Sequence, residues 1–172
     1  MDKGDLRQMA NICNSMGEFY RKKGDYYNAR NSYNETLDIY EKLNEKLGSS
    51  QVHLNLAKLS LNTSRLEQSE KEAWLAIEIA ELLNVKPLLS EAYLLLSDIY
   101  EKKEDFKQAF LYRKQYEDLH DSLFLVESKR QLDEMELKYQ TEQMNQEIRL
   151  LESKNELINQ RGVILTISVL AL

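Results

Sequence analysis

The sequence has few of the residues that end secondary-structure elements or build disulfide and metal sites. Its 172 residues include five glycines, one proline, one cysteine and two histidines. An all-β sandwich or barrel needs a turn about every 8–12 residues, which requires more glycine and proline than this. One cysteine excludes a disulfide framework and a cysteine-based zinc site, and two distant histidines form no histidine-rich metal tract. We therefore expect no metal and no other cofactor.

The balance of charge excludes a further class of partner. Acidic residues outnumber basic ones by 29 to 23, giving a formal net charge of −6. A surface that binds nucleic acid must be basic to neutralise phosphates, so we expect no nucleic acid partner. Long charged stretches without glycine or proline predict an all-α protein. No Gly-rich phosphate loop or catalytic constellation indicates an enzyme in this chain.

The sequence repeats at an interval of 40 residues. A shift of 40 aligns residues 37–44 with 77–84, and a shift of 80 aligns residues 20–29 with 100–109. Each of the three units contains two amphipathic segments with apolar residues spaced by threes and fours. Fixed periods of this length are typical of solenoids built from short structural units. The pattern predicts a solenoid of about three helical hairpins.

Turn and cap residues mark where these helices begin and end. Gly24 permits the left-handed turn that ends the first helix, and Asp25 is placed to cap the second. In the second unit, Ser64 and Glu67 have the spacing of a capping box. Pro87 fits the first turn of the fifth helix, where its missing N–H costs nothing.

Small and aromatic residues recur at matching positions of the units. In the first unit they are Gly17, Tyr20, Gly24, Asp25, Tyr26, Ala29, Tyr33 and Thr36, and in the third they are Ser97, Tyr100, Asp105, Phe106 and Ala109. This pattern resembles the tetratricopeptide repeat (TPR), although the usual period is about 34 residues. The resemblance covers residues 10–119. It implies a stack whose first helices line a groove that binds an extended or helical peptide.

The TPR resemblance assigns ten residues to this groove. They are Asn11, Asn14, Glu18, Arg21, Leu54, Lys58, Leu61, Glu91, Leu94 and Asp98. Chaperone-binding TPR proteins hold a C-terminal carboxylate with a clamp of lysine, asparagine and arginine, and the acidic Glu18 and Asp98 rule out that clamp here. The alternative is that these residues form only a solvated helix face.

Beyond the repeats, residues 120–160 contain neither glycine nor proline and predict one long charged helix. Five of its residues have the 4-3-4-3 spacing of a heptad seam, with a polar residue where register is often fixed. They are Met144, Ile148, Leu151, Asn155 and Ile158. Upstream the seam is poor, because Arg130 falls on it. We expect a parallel homodimeric coiled coil, strongest from Met144 onward.

The last residues, from Val163 to Leu172, are apolar except for Thr166 and Ser168. A helix of this length covers about half of a bilayer's hydrocarbon core. It is either a terminal helix that packs on protein or the start of a truncated transmembrane helix, and we expect the second. The predicted domains are thus residues 1–119, the TPR solenoid, 120–160, the coiled coil, and 161–172, the membrane segment.

The order of these segments is similar to that of TPR-containing sensor histidine kinases and transcriptional regulators common in Bacteroidetes-type bacteria. That resemblance implies a non-catalytic sensor module of a two-component membrane protein. Its TPR region would bind a protein or peptide in the periplasm, and the coiled coil would relay the signal to the inner membrane. Any kinase activity would lie beyond residue 172. The alternative is a cytoplasmic TPR adaptor or scaffold protein.

Overall fold

The computed structural model describes the backbone of residues 2–170 and the side chains of residues 2–159. Within this part of the chain there are six α-helices and no strand, which confirms the all-α prediction. The helices are α1 (Lys3–Lys23), α2 (Tyr26–Leu43), α3 (Lys46–Asn62), α4 (Leu66–Leu82), α5 (Lys86–Lys102) and α6 (Phe106–Leu170). They form three hairpins, α1–α2, α3–α4 and α5–α6.

Each connection contains one residue with a positive φ. These residues are Gly24, Asn44, Ser64, Asn84 and Glu104. At Gly24 the turn closes with a hydrogen bond from the Asp25 amide to the carbonyl of Tyr20, 2.9 Å long. The Asp25 carboxylate then accepts from the amide of Asn28 at 3.2 Å, confirming the predicted N-cap. The predicted capping box at Ser64 is wrong, because Ser64 takes the left-handed turn position and Arg65 precedes α4 without a side-chain cap.

Small residues let the two helices of a hairpin approach closely. Ala29 and Ser69 are fully buried, and Ser69 Oγ donates a 2.7 Å hydrogen bond to the carbonyl of Ala57 across the second hairpin. In the third hairpin, Ser97 Oγ donates to the carbonyl of Ala109 at 3.0 Å. These buried hydroxyls donate hydrogen bonds to backbone carbonyls of the facing helix.

The core consists of two apolar clusters that share α3. One joins α1, α2 and α3 around Tyr33, which is 0% exposed. The other joins α3, α4 and α5 around Leu96 and Ile99, with Tyr112 of α6 packed against it. Since α3 packs on α2, α4 and α5, it buries residues on most of its circumference.

The chain divides into two compact units, Met1–Leu123 and Phe124–Leu172, with α6 contributing to both. In the second unit, the described side chains are almost all exposed. Its ion pairs are local, such as those of Arg130 with Glu127 and Glu134 at 2.6 and 2.7 Å. Pairs three and four residues apart stabilise a helix without tertiary packing.

Among the described residues, no helix is both long enough and apolar enough to cross a bilayer. A crossing helix needs about 20 predominantly apolar residues. The predicted inner-membrane location is therefore contradicted. The apolar run Val163–Leu172, on which that prediction rested, lies outside the residues whose side chains the structure describes.

Candidate functional site

Six of the ten predicted groove residues line one cavity of about 290 Å³ between α1, α3 and α5. They are Arg21, Lys58, Leu61, Glu91, Leu94 and Asp98, joined by Asn62 and Leu95. We call this cavity the α1–α3–α5 groove. It combines leucine side chains with charges of both signs, a lining suited to an amphipathic peptide.

Most charges in and beside the groove are paired within the protein. Glu18 accepts hydrogen bonds from Arg21 Nη2 at 2.9 Å and from the Tyr33 hydroxyl at 2.8 Å. Burial alone would raise the pKa of Glu18, but these two hydrogen bonds and the charge of Arg21 outweigh it and lower the pKa. Across the groove, Lys58 forms an ion pair with Glu91. These contacts join α1 to α2 and α3 to α5.

Asp98 differs from the other charged groove residues. Within residues 2–159, no hydrogen bond or ion pair satisfies its carboxylate. Partial burial raises its pKa, and the charge of Glu101 acts in the same direction, while Arg113 and Lys102 only partly offset them. Asp98 is thus an exposed carboxylate that forms no ion pair, although the charges of Arg113 and Lys102 act on it.

The other four predicted residues do not line this cavity. Glu18 lies beside it through Arg21. Asn14 accepts from Asn55 Nδ2 at 3.1 Å, so it bridges α1 and α3. Asn11 similarly accepts from the hydroxyl of Tyr40 at 3.2 Å.

Leu54 requires a correction. It is 0% exposed and belongs to the core cluster of α3, α4 and α5. The reason is that α3 is packed on several sides, so a position that faces a groove on an end helix faces the core here. We exclude Leu54 from the proposed binding surface.

One partly buried polar pair was not predicted from the sequence. His53 of α3 and Glu72 of α4 are 18% and 12% exposed, and His53 Nδ1 lies 2.8 Å from Glu72 Oε2. Burial alone would raise the pKa of Glu72, yet its hydrogen bonds with His53 and Gln68 lower it. The partners are 19 residues apart and match no motif, so only the packing of α3 on α4 reveals them.

A larger and open depression of about 580 Å³ lies where α2 meets α3 and α4 ends. It is lined by Tyr40, Glu41, Asn44, Glu45, Lys46, Ser49, His53, Glu78, Ile79, Glu81 and Leu82. None of the ten predicted residues is among them. Its size alone does not make it the better candidate, since most of its lining belongs to the turn between hairpins and to one helix end.

Within the described residues, no group of three or more histidine, cysteine, aspartate or glutamate side chains is arranged to hold a metal ion.

Two family models match parts of the chain. The model of the soluble NSF attachment protein family, SNAP, matches residues 1–77, and a tetratricopeptide repeat model matches residues 90–115. Both matches fall on the hairpins. The fold is of the tetratricopeptide-repeat type. Such folds typically bind proteins and are typically not catalytic.

Solved structures agree with this TPR-type fold. The TPR domain of Arabidopsis FLU superposes with a TM-score of 0.64 at 13% identity, over 68% of this chain and 98% of that one. BtubC (BKLC) from P. vanneervenii gives a TM-score of 0.61 at 18% identity, over 66% of this chain and 47% of that one. At these identities the likeness concerns the fold alone.

Among curated proteins, no significant match was found. None of the matches described here confirms the resemblance to bacterial sensor kinases and regulators. What stands is a TPR-type protein-interaction module.

Proposed function

We propose that this protein is an adaptor or scaffold that binds a peptide segment of a partner protein in the α1–α3–α5 groove. The observation that supports it is the convergence of six predicted residues from three helices on one cavity. An adaptor needs no catalytic group, only a surface that recognises a partner and a fold that holds this surface rigid.

The lining indicates the chemistry of the peptide. Leu94 offers an apolar contact, and Asp98 offers an exposed carboxylate that forms no ion pair within residues 2–159. Arg21 and Lys58 are already paired with Glu18 and Glu91, so they attract an acidic peptide less strongly. The preferred segment carries an apolar side chain next to a lysine or arginine.

Selection from a random peptide library on the full chain tests this proposal. We expect enriched peptides to combine a basic with an apolar residue and to bind with a micromolar dissociation constant, as measured by fluorescence anisotropy. A micromolar constant corresponds to about −8 kcal/mol. Failure to enrich any peptide, or enrichment of acidic peptides only, would contradict the proposed groove chemistry.

Substitutions locate the binding site. Leu94→Ser removes the apolar contact and Asp98→Asn removes the anion, and each should weaken binding about tenfold, or about 1.4 kcal/mol. The matched control is Leu82→Ser, because Leu82 is 67% exposed and lies outside the groove. Equal loss in the control, or no loss in either groove variant, would place binding elsewhere.

The scaffold role includes a second copy of the chain, paired in parallel through the heptad seam of α6. Met144, Ile148, Leu151 and Ile158 are 62, 46, 52 and 65% exposed, and Asn155 is exposed beside them. Apolar side chains at this spacing are buried when two helices pair. The polar Asn155 favours an in-register parallel dimer.

Disulfide trapping tests the seam in the full chain. In a Cys13→Ala background, Asn155→Cys places two thiols together in a parallel dimer, so oxidation should link the chains. Ser153→Cys, on the opposite side of the same helix, is the control and should stay unlinked. Equal cross-linking of both variants, or of neither, would contradict a parallel seam.

A further inference from the structure

Helix α1 exposes an apolar face that the other first helices bury. Ile12, Met16 and Phe19 are 61, 44 and 61% exposed. The residues 40 and 80 positions later are apolar too, and none of them is more than 3% exposed; they are Val52, Leu56 and Leu59 in α3, and Ala92, Leu96 and Ile99 in α5. The exposed stripe therefore occupies the positions at which a first helix packs in the rest of the stack.

The buried equivalents show what covers such a face. Val52, Leu56 and Leu59 share a cluster with Ile39 and Tyr40 of the preceding helix α2. Helix α5 packs in the same way on α4, which precedes it. A helix lying along the stripe of α1 would thus cover the face that α2 covers on α3 and α4 covers on α5.

The order of residues along the stripe indicates which helix fits. The stripe is flanked by Asp5, by Met9, which is partly buried against the core of α1, α2 and α3, and by Lys23. From Asp5 through Met9, Ile12, Met16 and Phe19 to Lys23 the spacings are 4, 3, 4, 3 and 4 residues. These spacings are the same whether they are counted from Asp5 to Lys23 or from Lys23 to Asp5. Laid antiparallel against a second copy, with the centre at residue 14, Ile12 meets Met16, Met9 meets Phe19 and Asp5 meets Lys23.

We propose that two copies of this chain associate through antiparallel pairing of their α1 helices. Such an interface is isologous, the symmetric type found in most soluble dimers. Asp5 lies in the first turn and Lys23 in the last turn of α1, so the pairing forms two identical ion pairs at its ends. In the antiparallel pair, the positive end of each helix dipole also lies beside the negative end of the other, which is favourable. A parallel arrangement would instead place Asp5 against Asp5 and Lys23 against Lys23.

This interface is independent of the peptide groove and of the α6 seam, and its test removes the seam first. In the full chain carrying Ile148→Lys and Leu151→Lys, sedimentation equilibrium should still show a monomer–dimer equilibrium with a micromolar constant. Adding Ile12→Asp places two carboxylates against Met16 and should weaken the dimer at least about tenfold. Leu82→Asp, the same change at a residue that is 67% exposed, is the control and should have no effect.

A charge exchange tests the direction of the pairing. Asp5→Lys or Lys23→Asp alone creates two like-charge contacts and should weaken the dimer by a factor of about three, since exposed ion pairs contribute little. The double variant restores both contacts and should recover the original constant. Circular dichroism checks that each variant keeps its helices. A chain that stays monomeric without its seam, or a dimer indifferent to Ile12→Asp, overturns the interface, and failure of the double variant to recover overturns the antiparallel pairing.

Discussion

The hairpin stack, residues 2–123, and the last part of α6, residues 124–159, are both helical, but they differ in what they do with apolar side chains. In the stack, Tyr33, Leu96 and Ile99 are fully buried. In residues 124–159, Leu132, Met135 and Leu137 are 65, 67 and 66% exposed. Packing therefore stabilises the helices of the stack, whereas the later segment depends on helix propensity, local ion pairs and any partner helix.

The largest difference in unfolding free energy should appear when a leucine is replaced by alanine in each of the two regions. Leu96→Ala removes a fully buried side chain and should lower the free energy of unfolding by about 2–5 kcal/mol, from lost burial and the cavity left behind. Leu132→Ala, at a 65% exposed position, should change it by less than about 0.5 kcal/mol. Urea unfolding followed by circular dichroism measures both. Equal effects would mean that the second region is packed as tightly as the first.

The next largest difference in stability should come from replacing glycines that are packed against a ring with alanine. A Cβ at Gly17 would lie 2.5 Å from the ring of Tyr33, and one at Gly48 would lie 2.7 Å from the ring of Tyr40. Alanine at either position should destabilise the stack by about 1–3 kcal/mol, because the rings have to shift in a packed core. Gly4→Ala is the control, since its Cβ meets only Asp2 at 3.7 Å. Thermal unfolding compares the three, and a neutral Gly17→Ala would show that the helices separate at little cost.

Removing one tyrosine hydroxyl from each region should lower the free energy of unfolding by a smaller amount. Tyr33→Phe leaves Glu18 without one of its hydrogen bonds and should cost about 1 kcal/mol. Tyr139→Phe removes an exposed contact with Gln143 and should cost less than about 0.5 kcal/mol. Denaturant titration of both variants measures the difference. A larger cost at Tyr139 would indicate that residues 124–159 are covered by a partner in solution.

The smallest expected effect is on how the stability of the chain depends on acidic pH. The pKa of Glu72 is lowered in the folded chain, so the unfolded chain binds this proton more tightly. The pair with His53 therefore adds stability above the ordinary glutamate pKa of 4.5, and this contribution is lost as the pH falls through the lower folded value. The stability difference between the wild type and Glu72→Gln should shrink as the pH falls below about 4.5. A difference that grows on acidification would contradict the assigned direction.

The repeat and its hairpins could be predicted because they depend on local spacing. Gly24 and Asp25 lie in the predicted turn, and Tyr20 aligns with Tyr100 at twice the period. The groove was predictable only in part. The TPR pattern predicts which helix a residue belongs to, but it does not predict which helix is covered on several sides. For that reason Leu54 was predicted to line the groove, whereas it is buried in the core.

Other features depend on contacts between distant residues and could not be predicted from spacing. His53 and Glu72 form their pair only because α3 packs on α4. Ser64 has the sequence spacing of an N-cap, yet its backbone takes the left-handed conformation of the turn and it does not cap α4. The exposure of α1 became visible only by comparing its positions with their buried equivalents in α3 and α5.

Hydrogen–deuterium exchange on the full chain, with and without a library-selected peptide, tests the central claim most directly. We predict that the peptide adds protection around Arg21, Lys58 and Leu94, in α1, α3 and α5. Residues 124–159 should exchange at the same rate in both samples. Protection confined to the depression between Tyr40 and Leu82, with no change along α1, α3 and α5, would contradict the groove as the binding site.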